Sequence, residues 1–151
     1  FAETLGGSVP NFGKMMTAKA RSLGMRNTIY VNPNGLPDDR QLTTARDQAI
    51  LGVALRQHFP QYYSYFSVRS FRFGRQVIGN HNHLLGRVAG VDGIKTGYTE
   101  AAGYNLVTSA SKGDKRVVGV VIGAKSSGER DQKMTDMLNK YLGGETKAAT
   151  R

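Results

Sequence analysis

Val91-Asp92-Gly93-Ile94-Lys95-Thr96-Gly97-Tyr98-Thr99 is the stretch whose reading decides the fold. Val91 and Ile94, with the run Tyr104-Asn105-Leu106-Val107 beyond them, predict two neighbouring strands joined by Glu100-Ala101-Ala102-Gly103. Within the first strand, Lys95-Thr96-Gly97 puts a cation, a hydroxyl and a residue without a side chain on consecutive positions. In an extended strand residues 95 and 97 share one face and residue 96 takes the other. A ligand lying along this edge meets a charge, a hydrogen-bonding hydroxyl and bare backbone. No other part of the chain concentrates chemistry in this way.

Downstream, Tyr104 to Ser111 and Arg116 to Ala124 read as apolar strands joined by the polar loop Ser111-Lys112-Gly113-Asp114-Lys115. Glu129 to Leu142 reads as an amphipathic helix with Met134, Met137, Leu138, Tyr141 and Leu142 turned inward. Gly143-Gly144 stops it, and residues 143–151 read as a tail or linker.

Upstream, Phe1 to Leu5 looks like a last helical turn closed by Gly6-Gly7. Ser8 or Asn11 caps a second helix, whose apolar face is Phe12, Met15, Met16, Ala18, Ala20 and Leu23 and which Gly24 ends. Thr28 to Val31 is extended and leads into Asn32-Pro33-Asn34-Gly35-Leu36-Pro37, where proline and Asn-Gly force turns. Thr43 or Thr44 caps a third helix running to about His58, with Asp47 in its first turn, where the dipole favours an anion. Ala49, Ile50, Val53, Ala54 and Leu55 are its expected buried stripe, and Pro60 ends it. Helices first, then adjacent antiparallel strands, then a helix make an α+β arrangement.

Phe59 to Phe73 holds seven of the thirteen aromatics, with Arg69, Arg72 and Arg75 interleaved towards its end. Aromatics with arginines stack and neutralise single-stranded nucleic acid, or grip a sugar. The alternation Phe71-Arg72-Phe73 instead favours a half-buried strand in a hairpin of about residues 67–79. Asn80-His81-Asn82-His83 resembles half a metal site that only His58 and scattered carboxylates could complete, and it reads as a surface loop or strand.

The absence of cysteine excludes disulfides, thiolate nucleophiles and thiolate metal sites. A net charge of +10 fits a polyanion partner or a solvated basic surface; scattered lysines and arginines favour the surface. The 151 residues suit one domain or a large piece of one, and no apolar run is long enough to span a bilayer. Opening on Phe1-Ala2-Glu3, the chain reads as a processed, cut or truncated product.

Gly93 to Thr99, followed by Ala102-Gly103-Tyr104-Asn105-Leu106-Val107, resembles the third motif and next strand of the serine D,D-carboxypeptidases, the low-molecular-weight penicillin-binding proteins. Asn32 to Pro37 with Thr43-Thr44-Ala45-Arg46-Asp47 is similar to the same family's loop and helix start, so the Asn-Pro loop is either a border of the site or a structural turn. The likeness runs over roughly residues 1–142. It implies a penicillin-binding protein/serine β-lactamase-like fold, an antiparallel sheet with packed helices. Residues 1–142 would then be the C-terminal part of the catalytic domain, an incomplete domain in this chain.

The resemblance implies an enzyme that removes the terminal D-alanine from peptidoglycan pentapeptide through a serine acyl-enzyme, inhibited by β-lactams and needing no metal or cofactor. It implies catalytic roles for Lys95, Thr96, Gly97 and Tyr98, the last through its backbone N–H, and substrate-binding roles for Thr96, Thr99 and Arg130. The family's Ser-x-x-Lys and Ser-x-Asn, which carry nucleophile and base, are missing here. Ser109-Ala110-Ser111-Lys112 spells the first, but lies on a strand, where serine and lysine do not stand side by side as they do at i and i+3 of a helix. Tyr30-Val31-Asn32 mimics a related Tyr-x-Asn, but sits where the family has its Asn-Pro loop. Both read as coincidences.

The expected partners are an N-terminal fragment of the same protein, the peptidoglycan stem peptide and β-lactams, with no nucleic acid. The expected location is periplasmic or extracytoplasmic, with association with the cytoplasmic membrane left open. The alternatives are a β-lactamase-like hydrolase of the same fold and a non-catalytic peptidoglycan-binding fragment.

Overall fold

A computed structural model describes residues 1–143. The expected tail therefore lies, from residue 144 onward, outside the described residues. Three helices, α1 (Ala2–Gly6), α2 (Val9–Ser22) and α3 (Ala45–His58), come first. A 3-10 helix (Pro60–Ser67) and the hairpin β1 (Ser70–Phe73) and β2 (Gln76–Gly79) follow. The sheet β3 (Val91–Thr99), β4 (Gly103–Lys112) and β5 (Lys115–Ala124) and the helix α4 (Ser127–Leu142) complete the order.

The caps fall where the sequence puts them. Ser8 and Thr44 accept the backbone N–H groups of Asn11 and Asp47, satisfying donors that a helix start leaves open. Ser126 does the same for Glu129, whose carboxylate reaches back to the Lys125 N–H at 2.8 Å, a close variant of a capping box. Salt-bridged to Lys133 and bonded by that N–H, the Glu129 carboxyl is held below its ordinary range.

The sheet order is β3-β4-β5, antiparallel throughout, with Lys95 opposite Val107 and Thr96 opposite Leu106. The strands run further into the expected polar loop than the sequence indicates. Only Gly113-Asp114 turns, and Gly113 at φ 56° takes the left-handed position a two-residue hairpin requires. Helix α4 covers one face, where Leu106, Ala110 and Val121 pack with Met134 and Leu138. Each such large apolar side chain, fully buried, contributes about 1.5–3 kcal/mol. Helix α3 lies on the opposite face, its Gly52 set against Val107 and Val118. Among the described residues, β3 and β5 each keep an unpaired outer edge.

Four burial expectations are corrected. On α3 only Ala54 of the predicted stripe is buried. Gly52 and Asp47 turn inward beside it, whereas Ile50 and Val53 front an open groove of about 540 Å³ shared with Leu23 and Val118. In the hairpin every residue is exposed, because no second layer lies over it among the described residues, so Phe71 and Phe73 are not half-buried. On α4 Tyr141 points out, its ring under Lys140, while Leu142 is buried. On α2, likewise, Met15 and Ala18 are exposed, and Ala20 is the one residue of the predicted face that is fully buried.

Asp47 ties α3 to the segment before it. Its Oδ2 accepts from Thr28 Oγ1 at 2.7 Å and from the Asn27 N–H at 2.8 Å. Burial pushes this carboxyl up, but those bonds, helped by Arg46 and Thr44, outweigh it and hold the carboxyl below its ordinary 3.8. A depressed carboxylate contributes stability above its unfolded pKa and loses it as the pH falls through the folded value. Asp47→Asn should therefore lower stability near neutrality and flatten the part of the acid transition that begins below 3.8. Denaturant midpoints measured against pH check this, and an acid limb parallel to the parent's would rule it out.

Candidate active site

β3 carries the site because it is an edge strand whose two faces do different work. Lys95, opposite Val107, is exposed, and its Nζ donates to the Thr96 carbonyl at 2.7 Å. Thr96, opposite the buried Leu106, is half-buried. At Gly97 an added Cβ would meet only Asn105 Cβ, at 3.9 Å, so the strand is open to close approach there. Tyr98 is exposed and stacks at a tilt on Tyr104, ring centroids 4.3 Å apart.

These residues form one wall of an open cleft of about 1070 Å³. The opposite wall is Tyr30, the Asn32–Gly35 loop, Thr43 and Gln48. The Asn32 side chain braces its own loop, taking the Gly35 N–H and donating to the Leu36 carbonyl, and also accepts Gln41 Nε2 at 3.4 Å. The loop is thus both a structural turn and a border of the cleft. Burial raises the Tyr30 phenol above its ordinary range and Asp47 adds to the rise, against a hydrogen bond from Gln48 at 3.0 Å.

Arg130, only 3% exposed, reaches the same cleft from the first turns of α4, alongside Ser127. His81 and His83 line it from the loop before β3. Thus Lys95, Thr96, Gly97, Tyr98 and Arg130 are brought together. Thr99 is not among the cleft-lining residues: its hydroxyl accepts the Ala102 N–H at 3.0 Å and holds the β3–β4 turn.

The Ser-x-x-Lys coincidence lies away from the cleft, whereas Tyr30 and Asn32 line it. Ser109 is fully buried on β4, donating to Asp92 and bonded to the Tyr63 hydroxyl at 2.8 Å. Arg116 completes that network, 2.6 Å from Asp92. Burial and the Asp92 charge push the Tyr63 phenol up, against the Ser109 bond. Lys112 lies at the strand's end, hydrogen-bonded to the Gly143 carbonyl. Ser109 is a structural hydroxyl.

Comparison with known proteins gives the family and the fold. The peptidase S11 family model, described as D-alanyl-D-alanine carboxypeptidase, matches residues 1–126. The chain belongs to this D-alanyl-D-alanine carboxypeptidase family. It is 42% identical over 126 residues to the D-alanyl-D-alanine carboxypeptidase DacC of Escherichia coli, covering 83% of this chain and 32% of that protein. Penicillin-binding protein 5 from Haemophilus influenzae superposes with a TM-score of 0.85 at 37% identity, over 92% of this chain and 41% of that one. Penicillin-binding protein D2 from Listeria monocytogenes, solved in an ampicillin-bound form, superposes at 0.79 with 31% identity, over 92% and 60%. The α+β penicillin-binding protein fold is thereby established. This member of the carboxypeptidase family spans about a third of the length of the curated relatives it matches.

One part of this carboxypeptidase-family site was not legible in the sequence. His83 Nδ1 lies 3.1 Å from Asp131 Oδ2, and Asp131 Oδ1 is gripped by Arg130. The pair is separated by 48 residues, so no local spacing announces it. Among the described residues no group of three or more metal-ligating side chains is assembled.

Proposed function

We propose that this chain supplies the Lys-Thr-Gly wall of a serine D-alanyl-D-alanine carboxypeptidase. The assembled enzyme removes the terminal D-alanine of peptidoglycan pentapeptide and is acylated by β-lactams. The observation that carries the reading is the joint placement of Lys95, Thr96, Tyr98 and the buried Arg130 around one cleft along an open strand edge. The nucleophilic serine and its base belong to an N-terminal segment with Ser-x-x-Lys and Ser-x-Asn. That segment also covers the outer edge of β5 and the apolar groove at Ile50, Val53 and Val118.

The roles follow from chemistry. An extended peptide adds along β3, and Gly97 admits its backbone. The serine attacks the carbonyl of the penultimate D-alanine. The resulting oxyanion is held by two backbone N–H groups, the serine's own and that of Tyr98. Lys95 supplies positive potential beside the nucleophile and assists the proton's passage to the leaving amine. Thr96 and Arg130 receive the terminal carboxylate, for which a guanidinium fork is well shaped. Thr99, outside the cleft lining, acts through the β3–β4 turn that its hydroxyl holds. After D-alanine departs, water hydrolyses the acyl-enzyme. No cofactor or metal takes part, and the reaction takes place outside the cytoplasm, where its substrate is.

Intact mass of the full-length protein after treatment with a penicillin, followed by peptide mapping, tests this. One drug mass on a serine of the N-terminal segment is expected, and none on residues 1–151. An adduct on Ser109 would overturn the assignment of the nucleophile. No adduct, with no release of D-alanine from a D-Ala-D-Ala peptide, would overturn the function.

A further inference from the structure

Arg130 occupies an electrostatically costly position. It is buried, and it sits near the N-terminus of α4, where the helix dipole disfavours a cation. Its compensation comes from one oxygen. Asp131 Oδ1 accepts from Arg130 Nε at 2.9 Å and from Nη2 at 2.8 Å. That grip uses one edge of the guanidinium. The remaining edge, with both Nη1 hydrogens and the second on Nη2, makes no hydrogen bond among the described residues, and Arg130 lines the cleft with Lys95 and Thr96. Two parallel N–H groups along one edge are what a carboxylate takes in bidentate fashion.

Asp131 needs help to hold that grip. Adjacent residues on a helix do not face each other, so nothing in α4 itself directs the Asp131 carboxylate back onto Arg130. His83 does so. From the loop between β2 and β3, its Nδ1 meets the other oxygen, Oδ2, at 3.1 Å. The carboxylate is thus pinned at both oxygens, one by the loop and one by the guanidinium.

We infer that His83 and Asp131 are positioning residues that fix the free edge of Arg130 towards the ligand's terminal carboxylate, and so select ligands that carry one. This rests on the function proposed above. His83 acts through Asp131, and Asp131 through Arg130.

The test uses the full-length protein and two peptides ending in D-Ala-D-Ala, one with a free terminal carboxylate and one with that group amidated. The parent is expected to prefer the free acid, and Arg130→Ala to lose most of that preference. His83→Ala and Asp131→Asn are expected to raise KM for the free acid about tenfold, with kcat nearly unchanged and the amide unaffected. His83→Asn, whose Nδ2 can donate where Nδ1–H does, should recover most of the loss. With its side chain 48% exposed, His83 can be removed without emptying the core.

An unchanged free-acid KM in His83→Ala and Asp131→Asn, alongside a raised one in Arg130→Ala, would overturn the positioning role and leave the proposed function standing. Equal losses on both peptides would make the contact merely structural and overturn the role as well. A parent that cleaves neither peptide would overturn the function itself, and this inference with it.

Discussion

Lys95→Ala in the assembled enzyme is expected to lower kcat/KM for a D-Ala-D-Ala peptide by about 10²–10⁴-fold, with no change in unfolding midpoint. The two halves of that expectation have separate grounds. Lys95 is exposed, and among the described residues its ammonium bonds only to the carbonyl of the next residue, so the fold does not depend on it. In a half-closed cleft, a unit charge about 4 Å from a developing anion is worth about 4 kcal/mol at an effective dielectric constant near 20, or roughly three decades in rate. Penicillin acylation should fall in parallel, and Lys95→Arg should retain more of the rate than Lys95→Ala because the charge remains. Steady-state kinetics beside a denaturation curve decide it. A loss below about tenfold would remove Lys95 from the reacting field.

Gly90→Ala should be the most destabilising single methyl in the described chain. Gly90 has φ 81°, and an added Cβ would come within 2.0 Å of the Ser111 carbonyl oxygen. Its own carbonyl takes the Ser111 N–H at 3.0 Å, which ties the entrance of β3 to β4. The left-handed backbone costs alanine about 1–2 kcal/mol and overpacking about 1–3 more, for a total of about 2–5 kcal/mol. Gly113→Ala is the matched control. That glycine has φ 56° with nothing within 4 Å of the added Cβ, so only the backbone part is charged against it. Denaturant midpoints at constant m-value separate the two. Equal losses in both variants would mean that the β3–β4 junction yields to the methyl, and the close approach would then carry no weight.

What the sequence made legible was local. The apolar runs of β4 and β5 and the caps at Ser8 and Thr44 are short-range signals, and those elements formed where the signals lay, although the strands extend into the expected polar loop until only Gly113-Asp114 turns. Lys95-Thr96-Gly97 was readable because strand periodicity assigns faces without knowledge of the rest of the fold. The failures share one cause. Exposure of Phe71 and Phe73, the inward turn of Asp47 and the outward turn of Tyr141 depend on which layer lies opposite, and periodicity cannot say. The 3-10 helix at Pro60–Ser67 has no apolar period to betray it, only an aromatic cluster that also suited a binding surface. The contact of His83 with Asp131, and that of Ser109 with Asp92 and Tyr63, join residues far apart in the chain and exist only once the loop, sheet and helices are assembled. Arg130 was assigned from family likeness alone; its burial near the start of α4 had no signal in the sequence.

The outer edge of β5 bears on how the protein can be handled. Val117-Val118-Gly119-Val120-Val121-Ile122-Gly123 is a run without charge or proline, and among the described residues the backbone groups it does not pair with β4 lie along an open edge. Such a strand is a template for adding another strand, and the nearest supply at high concentration is a second copy of itself. Residues 1–143 on their own are therefore expected to be prone to aggregation. If the function proposed above holds, co-production with an N-terminal segment should occlude that template, and soluble yield then reports the pairing.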